Sequence, residues 1–454
     1  MTAYPPAPTG GADAIVPRLR LSVIGIGYLG LTQAVCLADV GHEVLAIDVD
    51  RDKIAMASRG EVPFFEPSLG PLLHKNLDSG RLRFSTSYAE IAGFADVHFL
   101  CVATPEGTAG AADLAHVFGA ADALAPYLRR SCLIVGKSTV PVGTARRTLA
   151  RIRQAAPAGA AVDLAWNPEF LREGFAVQDS LRPDRLVFGV TSPRAEQVLR
   201  QVYAPPLAAG VPALVMDLET AELVKLSANA FLAAKISFIN EMAAVCEAVG
   251  ADVVALADAL ARDERIGRRS LTPGLGFGGG CLPKDIRAFR ATGLDLGLDS
   301  LVRLLDAVEA INLGRRARVT DLARETLGGS LAGRRATVLG VAFKPNSDDV
   351  RDSPGLDVCG RLAAEGAIVT VHDPVAMASA ARLQPDLRYC PSVTEAVTGA
   401  DLVLHLTEWP EYRAIDPAAL AQVAAQRNLI DARSALDADL WRAAGWTVRV
   451  MGRP

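Results

Sequence analysis

The stretch Leu19-Arg20-Leu21-Ser22-Val23-Ile24-Gly25-Ile26-Gly27-Tyr28-Leu29-Gly30 carries an apolar strand into a glycine turn. Leu19 to Ile26 alternates β-branched and apolar residues and reads as a buried parallel strand. A helix follows from about Leu31 to Asp39, and Gly41 ends it. Glu43 to Ile47 reads as a second strand that stops at Asp48. A GxGxxG turn between strand and helix, with an acid about 20 residues on, is the dinucleotide-binding fingerprint. Gly25, Gly27 and Gly30 allow the tight turn, the close pyrophosphate approach and helix–strand packing, and the helix N-terminus attracts phosphate. Asp48 would bond the ribose hydroxyls and repel a 2′-phosphate, which favours NAD over NADP. The plainer alternative is a glycine-rich turn that binds nothing.

Strands at Val97 to Val102 and Leu133 to Lys137 end in the polar loops Ala103-Thr104-Pro105 and Ser138-Thr139-Val140-Pro141. Ligands in open α/β sheets sit at the carboxyl ends of strands, so Thr104 and Thr139 are candidate contacts. Ordinary turn chemistry supplies the same residue types. A second α/β pattern begins at Arg335, with strands at Ala336 to Phe343, Ala367 to Val371 and Asp401 to Leu406, and a helix from about Gly355 to Glu365. This half lacks GxGxxG. Lys344, Arg351 and Arg433 could bind a different nucleotide there, or could be surface charges. Between the halves, Asp217 to Val249 contains neither Gly nor Pro and reads as one long uncapped helix. Lys225 and Asn229 are four residues apart and share one face of it.

The segment Gly276-Phe277-Gly278-Gly279-Gly280-Cys281-Leu282-Pro283-Lys284-Asp285 sets a single cysteine behind a glycine run. A thiol beside a lysine can be held as the nucleophilic thiolate. With a hydride acceptor in the same chain, that suggests oxidation through a covalent thiol adduct. The other six of the seven cysteines lie in apolar stretches and read as core residues, and no CxxC pair exists. A reducing cytoplasm fits that usage better than a disulfide framework. The six histidines show no metal-ligand spacing, so no metal is expected.

Bulk properties agree with a large soluble enzyme. The chain has 454 residues, 50% hydrophobic and 22% charged, with net charge −4, which gives no electrostatic case for nucleic acid. No apolar run approaches the roughly 20 residues of a membrane span. The Pro-, Gly- and Ala-rich opening lacks a signal pattern and reads as a disordered tail. The expected division is a tail over 1–18, an NAD-binding Rossmann domain over 19–212, a helical dimerisation and active-site domain over 213–325, and a nucleotide-sugar-binding Rossmann-like domain over 326–454.

Taken together, the motifs resemble the UDP-glucose/GDP-mannose dehydrogenase family. The likeness runs from about Leu19 to Arg433. It rests on the glycine turn, Ser138-Thr-Val-Pro-Val-Gly143, Asn167-Pro-Glu169-Phe-Leu-Arg-Glu173-Gly174, Glu222 to Asn229, Arg265-Ile-Gly267, Gly276 to Asp285, and Ala342-Phe-Lys344 to Arg351. The resemblance implies a four-electron, NAD-dependent oxidation of a sugar C6 alcohol to a carboxylate, without release of the aldehyde. It implies that Cys281 forms the thiohemiacetal and thioester, and that Lys225 and Asn229 stabilise oxyanions. Asp285 would orient water, Glu173 or Glu169, one helical turn away, would act as base, and Thr139 would bind the water or the C6 hydroxyl. Tyr28, Lys53, Thr104, Thr139, Glu173, Lys284 and Arg351 join the glycine turn and Asp48 as cofactor contacts. Phe170, Leu171, Arg172, Phe277, Gly278, Phe343, Lys344 and Arg433 join Lys225 and Asn229 around the sugar nucleotide. Arg265 resembles an arginine given across a homodimer interface to the neighbouring site. UDP-glucose or dTDP-glucose is the expected substrate. Leu271-Thr-Pro-Gly274 and Gly280-Cys-Leu-Pro283 depart from many UDP-glucose enzymes and keep GDP-mannose as an alternative. A catalytically silent nucleotide-binding protein would lack Cys281, Lys225 or Asp285, and all three are present.

Overall fold

Strand register explains how the chain gathers its loops. The computed structural model describes residues 18–453; the tail expected over 1–18 lies, apart from Arg18, outside them. The first sheet contains β1 (Arg20–Ile24), β2 (Glu43–Ile47), β3 (Leu82–Ser85), β4 (Val97–Leu100), β5 (Cys132–Gly136), β6 (Val162–Trp166), β7 (Leu186–Val190) and β8 (Ala213–Met216). Its order is β3-β2-β1-β4-β5-β6-β7-β8. The chain winds outward through β2 and β3, then returns to β4 on the other side of β1. This is a doubly wound sheet with its ligand crevice at the β1/β4 switch. Ile24 pairs with both Ile47 and Leu100, so Gly25, Asp48 and Cys101 leave the sheet at one level. The paired strands run parallel except β6 and β7, whose antiparallel contact is limited to Ala165↔Val190 and Trp166↔Gly189.

The second sheet has β9 (Arg335–Leu339), β10 (Ile368–His372), β11 (Arg388–Tyr389), β12 (Leu402–His405), β13 (Asn428–Asp431) and β14 (Thr447–Val450). Every pair in it is parallel, in the order β11-β10-β9-β12-β13-β14, with its own switch between β9 and β12. The expected pair of Rossmann-like units is therefore present. The observed strands are generally shorter than expected, because polar loops begin where the ladder ends.

Two long helices join the units, Leu218–Val249 and Asp299–Thr326. The first was expected to be uncapped, but both its ends are closed. The Asp217 carboxylate accepts from Thr220 N at 2.7 Å, and Gly250 takes a left-handed conformation at the other end. Ser237 Oγ donates to Val308 O at 3.0 Å and fixes the crossing of the two helices. Phe231, Phe238 and Val245 recur every seven residues on the first helix and are exposed, as is Val249. Among the described residues, no helix is long and apolar enough to cross a membrane.

Candidate active site

The glycine turn has the shape its sequence requires. A Cβ on Gly30 would fall 1.7 Å from the Gly25 carbonyl oxygen, whereas one on Gly27 would meet nothing within 4 Å. Helix and strand thus touch at Gly30, and Gly27 faces open space. Ile26 N donates to Asp48 Oδ2 at 2.9 Å, which ties the acid of β2 to the turn. These residues fit a dinucleotide: bare backbone N–H groups at a helix start, room beside them, and a carboxylate level with both. Lys53 lies one turn into the next helix, 3.6 Å from Asp50. Thr104 is buried beyond β4, and Thr139 is half-buried beyond β5.

Tyr28 does not simply face the crevice. Its hydroxyl donates to the buried carboxylate of Glu66. Glu66 also accepts from Gly174 N at 2.6 Å and Ala176 N at 2.7 Å. It therefore anchors the loop that carries Glu173 to the glycine turn. Sequence reasoning missed Glu66, which lies among Phe64, Phe65 and Pro67 with no spacing to mark it.

A cavity of about 780 Å³ lies between the two units and the long helix. Glu169, Phe170, Leu171, Arg172 and Glu173 line it from the first unit, and Lys225 and Asn229 from the helix. Phe277, Gly278 and Cys281 come from the glycine-rich segment, and Phe343, Lys344 and Arg433 from the second unit. Lys225 Nζ lies 3.1 Å from Glu169 Oε1, and both groups are largely buried. Burial pushes the ammonium down, but Glu169, Cys281 and Asp285 outweigh it, so Lys225 is held protonated above its ordinary range. Asn229 Nδ2 donates to Asp285 Oδ2 at 2.6 Å, and Lys284 Nζ stands 2.5 Å from Asp285 Oδ1.

Two expectations are corrected here. Lys284 is engaged with Asp285, and Lys225 is the lysine that acts on Cys281. The thiol is not a resting thiolate: crowding in the site and the charge of Glu169 push it up to about 12, against the pull of Lys225. Cys281 is nevertheless exposed to the cavity, whereas the other six cysteines are buried. The second correction concerns Glu169 and Glu173. Residues 167–173 form no helix, so the two carboxylates are not stacked one turn apart. Glu169 turns to Lys225. Glu173 accepts from Ser347 Oγ at 3.0 Å and lies 3.5 Å from Arg351 Nη2. Burial and Asp349 raise Glu173 to about 7, against Arg351, Lys344 and Ser347.

The second unit closes this site through the glycine run. A Cβ on Gly280 would lie 2.3 Å from Arg351 Cζ, so only glycine admits the guanidinium there. Arg433 Nε donates to Leu406 O at 2.7 Å, and its Nη1 reaches Gly276 O at 3.3 Å. Burial pushes Lys344 down, and Glu173 and Cys281 oppose it. Arg172 pairs with Asp179 at the cavity rim. Arg265 is not brought to this chain's own cavity: its side chain is 89% exposed and pairs with Asp263. Glu222, buried on the long helix, accepts from Gly143 N at 2.7 Å and Ala145 N at 2.6 Å, which pins the Thr139 loop.

Comparison with known proteins agrees with this arrangement. Residues 19–207, 219–313 and 337–438 match, in turn, the NAD binding, central and UDP binding domains of the UDP-glucose/GDP-mannose dehydrogenase family. The chain is 41% identical to UDP-glucose 6-dehydrogenase of Pseudomonas aeruginosa, covering 96% of this chain and 98% of that protein. It is 40% identical to UDP-glucose 6-dehydrogenase of Rhizobium meliloti, covering 96% and 100%. The solved UDP-glucose dehydrogenase of Pyrobaculum islandicum superposes with a TM-score of 0.88 at 37% identity, over 96% of this chain and 100% of that one.

Proposed function

Since the chain belongs to the UDP-glucose/GDP-mannose dehydrogenase family, as an NAD-dependent oxidoreductase of nucleotide sugars, we propose that it oxidises C6 of UDP-glucose to the carboxylate through a thioester on Cys281. The observation that carries this is the convergence of Cys281, Lys225 and Asn229 on one cavity, with Asp285 hydrogen-bonded to Asn229 at 2.6 Å. The names of the relatives support the substrate. The balance is RCH2OH + 2 NAD⁺ + H2O → RCOO⁻ + 2 NADH + 3 H⁺. The bound dinucleotide would accept two electrons at each oxidation, held by Gly25, Gly27, Gly30 and Asp48. Lys53, Thr104, Lys284 and Arg351 would complete its surroundings.

The chain's own residues then do the following. Lys225, fixed by Glu169, and Asn229 present donors to the C6 oxygen as charge develops there. Thr139 holds that oxygen or the water that follows. When the aldehyde forms, Cys281 Sγ bonds to C6. Its proton passes to the C6 oxygen through Lys225, which gives one proton and takes another. This exchange suits a thiol that rests protonated. The second oxidation leaves the thioester, and Asp285 orients the water that cleaves it to carboxylate and free thiol. Glu173 stands between the cofactor side and the sugar side and would take a proton during oxidation. Phe170, Leu171, Arg172, Phe277, Gly278, Phe343, Lys344 and Arg433 would hold the nucleotide and diphosphate.

The exposed stripe Phe231-Phe238-Val245 and the outward Arg265 support a homodimer in which Arg265 completes the partner's site. The test of function is NADH formed per sugar nucleotide at completion, with UDP-glucose, dTDP-glucose and GDP-mannose run in parallel. Two NADH from UDP-glucose is the expected result. One NADH with free aldehyde would remove the thioester from the reading.

A further inference from the structure

Lys137 is a buried cation that the mechanism above leaves without a task. It follows β5 directly, two residues before Thr139, and is only 5% exposed. Its ammonium donates to Asn167 Oδ1 at 3.0 Å and to Tyr203 OH at 3.3 Å. Tyr203 OH in turn donates to Asn167 Oδ1 at 2.6 Å. Every partner is neutral: among the described residues no carboxylate lies within ion-pair distance of Lys137, and its third N–H has no acceptor. A buried ammonium whose partners are all neutral is costly to take out of water, so a neutral side chain of similar length would serve packing better.

Its position suggests what it does. Asn167 follows β6 directly and precedes Glu169 by two residues, as Lys137 precedes Thr139. Asn167 N donates to Gly136 O at 2.8 Å, and Asn167 Nδ2 donates to Val187 O at 2.9 Å. Lys137 therefore ties together the two strand ends that carry Thr139 and Glu169. Lys137 and Glu169 both line the same cavity. The fields of both also reach the Cys101 thiol beyond β4. Glu169 faces Lys225 on the long helix, and its charge acts on Cys281.

We propose that Lys137 is a positioning residue of the dehydrogenase: through Asn167 and Tyr203 it locks the Thr139 and Glu169 loops in register. This rests on the function proposed above. The wild-type NADH stoichiometry tests that function by itself, so the two can fail separately.

The experiment compares Lys137→Met and Tyr203→Phe with wild type. Thermal midpoint, NAD binding by fluorescence, and kcat and KM for UDP-glucose are followed. For Lys137→Met, kcat should fall by about 10²-fold, with NAD affinity and KM little changed, as for a misplaced catalytic loop. Tyr203→Phe removes one of the two acceptors of Lys137 and should lower kcat by less, again with KM little changed. Near-wild-type kcat in Lys137→Met, or a loss carried by KM or NAD affinity in place of kcat, overturns the proposal. If that variant does not fold, a near-wild-type kcat in Tyr203→Phe overturns it.

Discussion

Asn229 donates to Asp285 across 2.6 Å, and Lys284 approaches the other oxygen of the same carboxylate. Both Asp285 oxygens are thus fixed in a group that is 2% exposed. Asp285→Asn keeps the size of the side chain but removes the charge and one of the two acceptors, so the amide can accept from Asn229 or from Lys284 and not from both. We expect kcat to fall by about 10²-fold or more while KM for the sugar nucleotide holds, the pattern of a lost water-orienting group. Steady-state kinetics checks this, and unchanged turnover would remove Asp285 from the hydrolytic step.

Cys281→Ser should bind both ligands yet fail to complete the four-electron oxidation. Intact-mass spectrometry of acid-quenched wild type should find a sugar-nucleotide adduct on the peptide containing Cys281, and the variant should carry none. Full production of two NADH per sugar by the serine variant would exclude the thioester.

Glu173 gives stability a pH dependence of defined sign. Its folded value, about 7, lies above the ordinary carboxylate range. Between those values the folded state keeps a proton that the unfolded state has lost. The contribution to stability is therefore complete at low pH and is lost as pH rises through about 7. The loss is on the order of 3 kcal/mol at most. Denaturant melts at mildly acidic and mildly alkaline pH should show Glu173→Gln less sensitive to pH than wild type. Equal slopes would contradict the burial argument.

The outward stripe on the long helix predicts assembly. Light scattering should report a dimer for wild type and a monomer for Phe238→Glu. Arg265→Ala should form inactive dimers. Mixing it with Cys281→Ser should restore part of the activity, because each hybrid holds one site with Cys281 and a donated Arg265. No recovery after subunit exchange would confine Arg265 to its own chain.

Much of this site was legible because its residues sit at strand ends and on one helix face. The glycine turn with Asp48 follows from spacing; spacing also sets Lys225 and Asn229 on one helix face and Cys281 behind a glycine run, and the resemblance to the family gave those three their roles. Glu66, Ser347 and Lys137 were not legible. Glu66 acts on Gly174, 108 residues away, and Ser347 on Glu173, 174 residues away. Such pairings arise only when the two sheets and the loops between them are packed. Glu169 and Glu173 illustrate the same limit. Four-residue spacing suggested a helix, but the segment leaves β6 as an irregular loop pinned by Glu66 and Asp179. The thiol was misjudged for a related reason: nearness in sequence to Lys284 said nothing of the carboxylates that converge on it from other elements.

The short antiparallel overlap of β6 and β7 has a mechanical meaning. With only Ala165↔Val190 and Trp166↔Gly189 in register, β7 overhangs the end of its neighbour. At the rise of an extended chain, Phe188, Val187 and Leu186 project about 10 Å past Trp166. The sheet itself therefore forms a fixed jamb beside Asn167-Pro168-Glu169. A jamb built from ladder hydrogen bonds does not swing. Of these three residues Leu186 lines the cavity, whereas Val187 and Phe188 are fully buried in the core, so bulk added at 186 would narrow the cavity mouth and bulk added at 187 or 188 would disturb the core instead.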